Sequence, residues 1–277
     1  MSPSEKKGFS GDFNGGTEVQ FEGAHFNGAI AATKNYLVCY ETSETEFWIL
    51  SFKLDKIGTF GIDEMKYVNG SNRMVMKYNE WNDTLLVFIG KKIYNINLES
   101  KTVLWSTLLS ISSSSPYATN CVGIEIDSRG IIYVGMTRGC PAILYVLAHN
   151  GEIVERVGKE CSKRVIDVEN IYGIGMDGEE NIVINASPMM KLSRMLKRIK
   201  IPFVQLLMTQ NPMIYDSVKD HFLISGHYGI KVYDMKFNVV AENTLERSPF
   251  SVTLSNNGVV YQICTSGSSY NKIKSFQ

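Results

Sequence analysis

The sequence predicts an all-β fold, a six-bladed β-propeller, from two observations. Short runs rich in β-branched and aromatic residues follow one another along the chain, separated by turns that carry Gly, Asn or Asp. The runs come in groups of four, and a four-stranded meander cannot bury both of its faces alone. Such groups recur at a spacing of about 38 to 50 residues, which indicates a closed ring of small antiparallel sheets.

The clearest of these groups lies at residues 120–157. Four runs follow one another there, and Asn150-Gly151 before the last run predicts a two-residue type I′ hairpin. The first run, residues 120–127, reappears at residues 170–177 as Asn-x-x-Gly-Ile-x-(Ile/Met)-Asp. This internal repeat is the strongest in the sequence.

The two ends of the chain are predicted to share one sheet. The last group stops one strand short, and residues 17–21 alternate like a strand. Pairing of this N-terminal strand with the C-terminal blade would complete the sixth sheet and remove unpaired strand edges. Residues 1–16 are polar and Gly-rich and predict a flexible leader, followed by a single propeller domain at residues 17–277.

One segment conflicts with the strand pattern. Residues 189–200 place apolar side chains at a helical spacing and lack the Gly and Asn turns found elsewhere. We expect a strand and a turn, because the fourth blade needs its third strand there. A short helix on the rim of the propeller is the alternative.

Bulk composition excludes some functions. With 28 basic and 28 acidic residues the net charge is zero, which argues against a surface dedicated to duplex nucleic acid or anionic membrane. No apolar run reaches the roughly 18 residues of a membrane-spanning helix, so we expect a soluble monomer without a membrane partner. Five cysteines without a CxxC spacing argue against zinc and favour buried thiols, with a Cys121–Cys140 bridge as the alternative.

Candidate ligand-binding residues recur just before the innermost strands of the blades, where they would face the mouth of a central channel. Asn side chains converging on one axis could hold a cation or a polar ligand, although Asn also suits loops on its own account. Asp127 and Asp177, at the far ends of two of these strands, are predicted to be turn residues. The candidate ligand-binding residues are Asn27, Asn120, Asn170, Tyr172, Asn211 and Phe250.

Two further constellations are candidates for binding. A divalent cation could be held by Glu22, Asn120 and Asn170, with His25 nearby in the sequence. A basic cluster could meet phosphate, an acidic partner or single-stranded RNA, and a solvated rim is the alternative. The cluster consists of Lys191, Arg194, Lys197, Arg198 and Lys200.

The blades resemble those of three propeller families. Residues 123–135, Gly-Ile-Glu-Ile-Asp-Ser-Arg-Gly-Ile-Ile-Tyr-Val-Gly, are similar to an NHL repeat, and this resemblance implies a cytoplasmic platform for protein or single-stranded RNA. Residues 127–134 and 140–147, together with Ile171-Tyr-Gly-Ile-Gly-Met-Asp and the last two blades, resemble the insect yellow and major royal jelly proteins. That resemblance implies an extracellular protein that binds small amines.

The third resemblance is to gluconolactonases and senescence-marker lactonases. In that family Glu-Gly near the start and Asn before the inner strands bind a divalent metal, and Glu22-Gly23, Asn120 and Asn170 would correspond. The sequence contains no Gly-rich phosphate loop, GxSxG elbow or Cys/His nucleophile pair. We therefore expect a non-catalytic binding propeller for a small polar or aromatic ligand similar to a biogenic amine, with an NHL-like platform and a metal-dependent lactonase as alternatives.

Overall fold

The structure, a computed structural model, describes residues 6–65, 74–109, 120–137, 142–158, 166, 170–201, 213–226, 229–244, 251–266 and 269–277. These residues form six four-stranded antiparallel sheets and one short 3-10 helix at Asp63–Met65. The predicted fold class, an all-β six-bladed β-propeller, is confirmed. Among the described residues no helix is long and apolar enough to cross a membrane.

The chain divides into two compact units, and the second of them comprises residues Tyr67–Met213. It holds three sheets. The strands are β6 (Val75–Asn79), β7 (Thr84–Ile89), β8 (Lys92–Asn97) and β9 (Thr102–Leu108), then β10 (Asn120–Ile126), β11 (Ile132–Thr137), β12 (Ile143–Leu147) and β13 (Ile153–Gly158), then β14 (Ile171–Met176), β15 (Ile182–Ala186), β16 (Met190–Leu192) and β17 (Arg198–Ile199). Strands β16 and β17 confirm the predicted strand and turn at residues 189–200.

In the second unit the first strand of each sheet lies innermost. Strands β6, β10 and β14 lie next to one another and are almost entirely buried, whereas side chains along β9 alternate between exposed and half-buried. Close approach of β10 to β14 requires glycine, because a Cβ at Gly123 would lie 2.7 Å from Ile174 Cγ1. Apolar faces of neighbouring sheets form the cores.

The first unit comprises residues Met1–Lys66 and Ile214–Gln277. Its strands are β1 (Thr17–Gln20), β2 (Phe26–Ala32), β3 (Leu37–Glu41), β4 (Glu46–Leu50) and β5 (Lys56–Gly61), then β18 (Met213–Asp216, which begins at the last residue of the second unit), β19 (His221–Gly226), β20 (Gly229–Tyr233), β21 (Val239–Thr244), β22 (Ser251–Leu254), β23 (Val260–Ser266) and β24 (Ser269–Phe276).

The predicted closure of the last sheet is confirmed. Strand β1 pairs with β24 in register from Thr17↔Ser275 to Gln20↔Lys272, and the sheet order is β1-β24-β23-β22. Glu18 adds ion pairs to Lys272 at 2.6 Å and Lys274 at 2.7 Å. These ion pairs lower the pKa of the Glu18 carboxyl.

Residues within the predicted leader contact the rest of the first unit. Phe9 is buried in the core formed by the sheets of β19 and β22, and its backbone N–H donates to Asp216 Oδ2 at 2.6 Å. The Phe13 ring packs against Phe9 at 4.9 Å and edge-on against Phe276 at 5.4 Å between ring centroids. Burial of the Phe9 ring and partial burial of the Phe13 ring oppose the disorder that the polar and Gly-rich composition favours.

The predicted type I′ turn at Asn150-Gly151 is wrong. Gly151 donates its N–H to Ala148 O at 2.9 Å, and Ala148 donates to Glu152 O at 2.9 Å. Of the two predicted turn residues, Gly151 has a positive φ of 86° and Asn150 does not. The connection is therefore a three-residue loop whose last residue is a glycine with left-handed backbone conformation. The pairing of β12 with β13 next to this loop contains a register shift between Val146 and Leu147.

Candidate functional site

The structure places three of the predicted ligand-binding residues at the starts of inner strands in the second unit. Asn120 is the first residue of β10 and is half-buried, and Asn170 directly precedes β14 and is exposed. Tyr172, the second residue of β14, is half-buried. Asn27 lies in β2, and the structure does not describe its side chain. Asn211 and Phe250 lie outside the described residues.

Thr137 connects the starts of the two strands. It pairs in register with Asn120, and its Oγ1 accepts a hydrogen bond from the backbone N–H of Ile171 at 3.2 Å. Asn120 is therefore the neighbour of Thr137 across the strand pair, and Asn170 directly precedes the residue whose N–H Thr137 accepts. Two amides and a phenol occur at this end of the two strands, next to the buried Thr137.

Two buried carboxylates, those of Asp127 and Asp177, directly follow the opposite ends of the same strands and are used by turns. Asp127 accepts the N–H groups of Arg129 and Ile131, each at 3.0 Å, and pairs with the Arg129 guanidinium. Asp177 accepts the N–H groups of Glu179 at 3.0 Å and Asn181 at 2.8 Å. The prediction that both aspartates are turn residues is confirmed.

The same turn recurs with other residues at its first position. That residue donates its N–H to the carbonyl four residues later, and its own carbonyl accepts from the residue three positions later, which has a positive φ. Side-chain oxygens at the first position accept backbone N–H groups inside the turn, which is the reason for Asp or Ser there. The further first residues of this turn are Ser51, Ala148, Ser193, Asp234 and Ser255.

Two members of the basic cluster have carboxylate partners within their own sheet. The Lys191 Nζ lies 2.6 Å from Asp177 Oδ2, and Arg194 pairs with Glu180. Glu180 also accepts the N–H of Ser128 at 2.7 Å, and these contacts lower the pKa of its carboxyl. Lys197, Arg198 and Lys200 are exposed. The charge offered to a phosphate by this cluster is therefore smaller than its five cations suggest.

The donors near Asn120 and Asn170 do not fit a divalent cation by themselves. Glu22 is exposed and belongs to the first unit, whereas both asparagines belong to the second. In the described part of the chain no three His, Cys, Asp or Glu side chains are grouped so that they could hold a metal ion. Calcium and magnesium sites are built largely from carboxylate oxygens, and neutral amides with one hydroxyl are a poor substitute.

Sequence reasoning missed one ion pair on the inner strands. The Nζ of Lys77, in the middle of β6, donates to Glu125 Oε2 in β10 at 2.8 Å. Glu125 is buried, and that burial raises the pKa of its carboxyl although Lys77 acts in the opposite direction. The signal in the sequence is a charged residue inside an otherwise apolar first strand, as in Ile124-Glu125-Ile126.

The fold and these inner-strand residues define a six-bladed β-propeller with polar groups at the starts of its second-unit inner strands. No family model matches the sequence, and no curated protein matches it. One similar solved structure is a protein provisionally assigned as a gluconolactonase, with a TM-score of 0.62, 9% identity and coverage of 95% of this chain and 92% of the other. Another is a protein of unknown function from Bacteroides caccae, with a TM-score of 0.58, 11% identity and coverage of 85% and 84%.

These likenesses show the fold alone. Identities of 9% and 11% carry no residue roles from one chain to the other, and 919 chains of solved structures match, so the fold does not select one function. Neither of the two structures is named as a yellow-type or NHL protein. Of the three family resemblances, these two structures therefore support only the shared six-bladed propeller fold.

Proposed function

We propose that the protein is a non-catalytic binding propeller that takes a small polar or aromatic ligand, similar to a biogenic amine, at the starts of β10 and β14. The observation that carries the proposal is that Asn120 pairs in register with Thr137, which accepts the N–H of Ile171 directly after Asn170, with Tyr172 following on β14. Accessible polar groups on a rigid sheet favour recognition, because little ordering is needed on binding.

The chemistry of this end suits an amine with an aromatic group. The amide oxygens of Asn120 and Asn170 accept hydrogen bonds from an ammonium group. A half-buried tyrosine such as Tyr172 offers a ring face to a cation or to a second ring. The carboxylates of Asp127 and Asp177 lie at the opposite ends of the two strands and are engaged in turns, so neither serves acid or base catalysis here.

We expect a panel of aromatic amines to include a ligand whose binding the asparagines support. Replacing Asn120 or Asn170 by Ala should weaken that ligand about tenfold, because each replacement removes a hydrogen bond to a charged group. Isothermal titration calorimetry measures the affinity. Asn150→Ala is the matched control, since Asn150 is an exposed turn residue between β12 and β13. A panel without any binding, or equal weakening in the control, would remove the proposal.

A metal-dependent lactonase is the second candidate, and the gluconolactonase assignment of one similar structure favours it. Our proposal predicts that gluconolactone is hydrolysed at the uncatalysed rate with Ca²⁺, Mn²⁺ or Zn²⁺ present. A pH-stat assay measures that rate. Hydrolysis that depends on one of these ions and is lost in Glu22→Gln would establish the lactonase in place of the binding propeller.

A further inference from the structure

The pair formed by Lys77 and Glu125 has one accessible and one inaccessible member. The Lys77 side chain is 34% exposed, the Glu125 side chain is 8% exposed, and 2.8 Å separates the two charged atoms. Both residues belong to the second unit, and β6 and β10 are neighbouring inner strands. A molecule approaching these strands therefore meets the ammonium group and not the carboxylate.

Lys77 is also the single basic residue on the inner strands of this unit. Strands β6, β10 and β14, all of them described, otherwise contribute neutral side chains and Glu125. A lysine ammonium has three N–H donors, and Glu125 occupies one of them. The Lys77 side chain is 34% exposed, so the ammonium group has two further donors that the oxygens of a second anion could accept.

We propose that Lys77, in its ion pair with Glu125, forms a binding site for a small carboxylate ligand on the inner strands of the second unit. The ligand accepts hydrogen bonds from the ammonium group of Lys77, while Glu125 fixes the position of that group. The site goes beyond the proposed amine-binding function, since it uses different residues and an anion in place of a cation.

Binding of the carboxylate is coupled to the protonation of Glu125. Burial already raises the pKa of Glu125, and a second negative charge beside Lys77 raises it further. Besides Lys77, the other titratable side chains on β10 and on the strands packed against it are Cys121 and three tyrosines. Tyr133 on β11 is the register partner of Glu125, with a pKa raised to about 12 mainly by burial, Tyr78 lies on β6 and Tyr172 on β14. We assign the pH dependence to Glu125, and affinity rises as the pH falls.

The test uses acetate as the probe and the full chain as the protein. Titration calorimetry at constant ionic strength should show saturable binding that becomes tighter as the pH is lowered, because a second negative charge beside Lys77 favours the protonated form of Glu125. Repeating the titration in buffers of different ionisation enthalpy should show proton uptake. Glu125→Gln should abolish both the pH dependence and the proton uptake.

Lys77→Met should weaken acetate at least about tenfold, because it removes the charge that the ligand meets. The double variant Lys77→Met with Glu125→Leu should lose binding equally, and it avoids a buried unpaired carboxylate if the single variant fails to fold. Lys231→Met is the matched control. Its side chain is 33% exposed and pairs with Glu242 at 3.0 Å, close to the values for Lys77.

Three results would overturn the proposal and show that the two residues form only a structural ion pair. These are no saturable binding of acetate, the same affinity in wild type and Lys77 variants, or equal weakening in Lys231→Met. Asn150→Ala, at an exposed position between β12 and β13, should leave the affinity for acetate unchanged, and the two sites use different residues and different probes. The carboxylate site and the amine site can therefore each fail while the other stands.

Discussion

Replacing Phe9 by Ala is expected to lower the free energy of unfolding by about 3 to 5 kcal/mol, although Phe9 lies close to the N-terminus. The ring is 3% exposed and packs in the core with Leu223, Val252 and Phe276. Truncation removes apolar burial and leaves a cavity that the surrounding sheets fill incompletely. Loss of this ring also weakens the packing that holds the Phe9 N–H against Asp216.

Chemical denaturation monitored by fluorescence and circular dichroism measures this change. Ile57→Ala is the control, because Ile57 is 59% exposed on β5, and its replacement should change the free energy of unfolding by less than about 0.5 kcal/mol. If Phe9→Ala changed it no more than Ile57→Ala, residues 6–16 would be a peripheral tail in solution. The flexible leader predicted from composition would then be the correct description.

The fold was predictable because each sheet repeats one local pattern. Four β-rich runs between turns recur at a regular spacing, and the missing strand of the last group could be assigned to residues 17–21 by counting. The pairing of β1 with β24 follows from the need to remove free strand edges, a property of any sheet. Local patterns of this kind are visible without knowing which sheets become neighbours.

Features that depend on packing between sheets were not predictable in the same way. The composition of residues 1–16 predicts a flexible leader. It does not show that Phe9 and Phe13 pack against apolar side chains of the first unit. Asn150-Gly151 is compatible with both two-residue and three-residue hairpins, and the sequence does not show the register shift that selects between them. The partners Lys77 and Glu125 are separated by 48 positions and meet only because β6 and β10 are neighbours.

The candidate site was predictable only where it depends on the internal repeat and not where it depends on packing between sheets. Asn120 and Asn170 occupy equivalent positions of the internal repeat, so their placement at the starts of β10 and β14 follows from the repeat. The hydrogen bond from the Ile171 N–H to Thr137 does not follow from the repeat. It depends on how the sheet of β10–β13 packs against the sheet of β14–β17. The basic cluster is a similar case, since charge counting along the chain does not show which cations already have partners.

Replacing Lys191 by Met is expected to lower the free energy of unfolding by about 3 kcal/mol, because it leaves a buried carboxylate without its cation. The side chain of Asp177 is 1% exposed, that of Lys191 is 16% exposed, and 2.6 Å separates their charged atoms. Lys197→Met is the control, because Lys197 lies in the turn that directly follows strand β16, which contains Lys191. Lys197 is exposed, and its replacement should change the free energy of unfolding by less than about 0.5 kcal/mol.

The comparison decides how the basic cluster can contribute to binding. A large effect at Lys191 and none at Lys197 would mean that Lys191 stabilises the turn at Asp177, so an RNA-binding surface would depend on other members of the cluster, such as the exposed Lys197 and Lys200. Asp177→Asn in the Lys191→Met background should then recover part of the stability, because the unpaired charge is gone. Equal, small effects at both lysines would contradict the ion pair and return Lys191 to the cations that a phosphate backbone could meet.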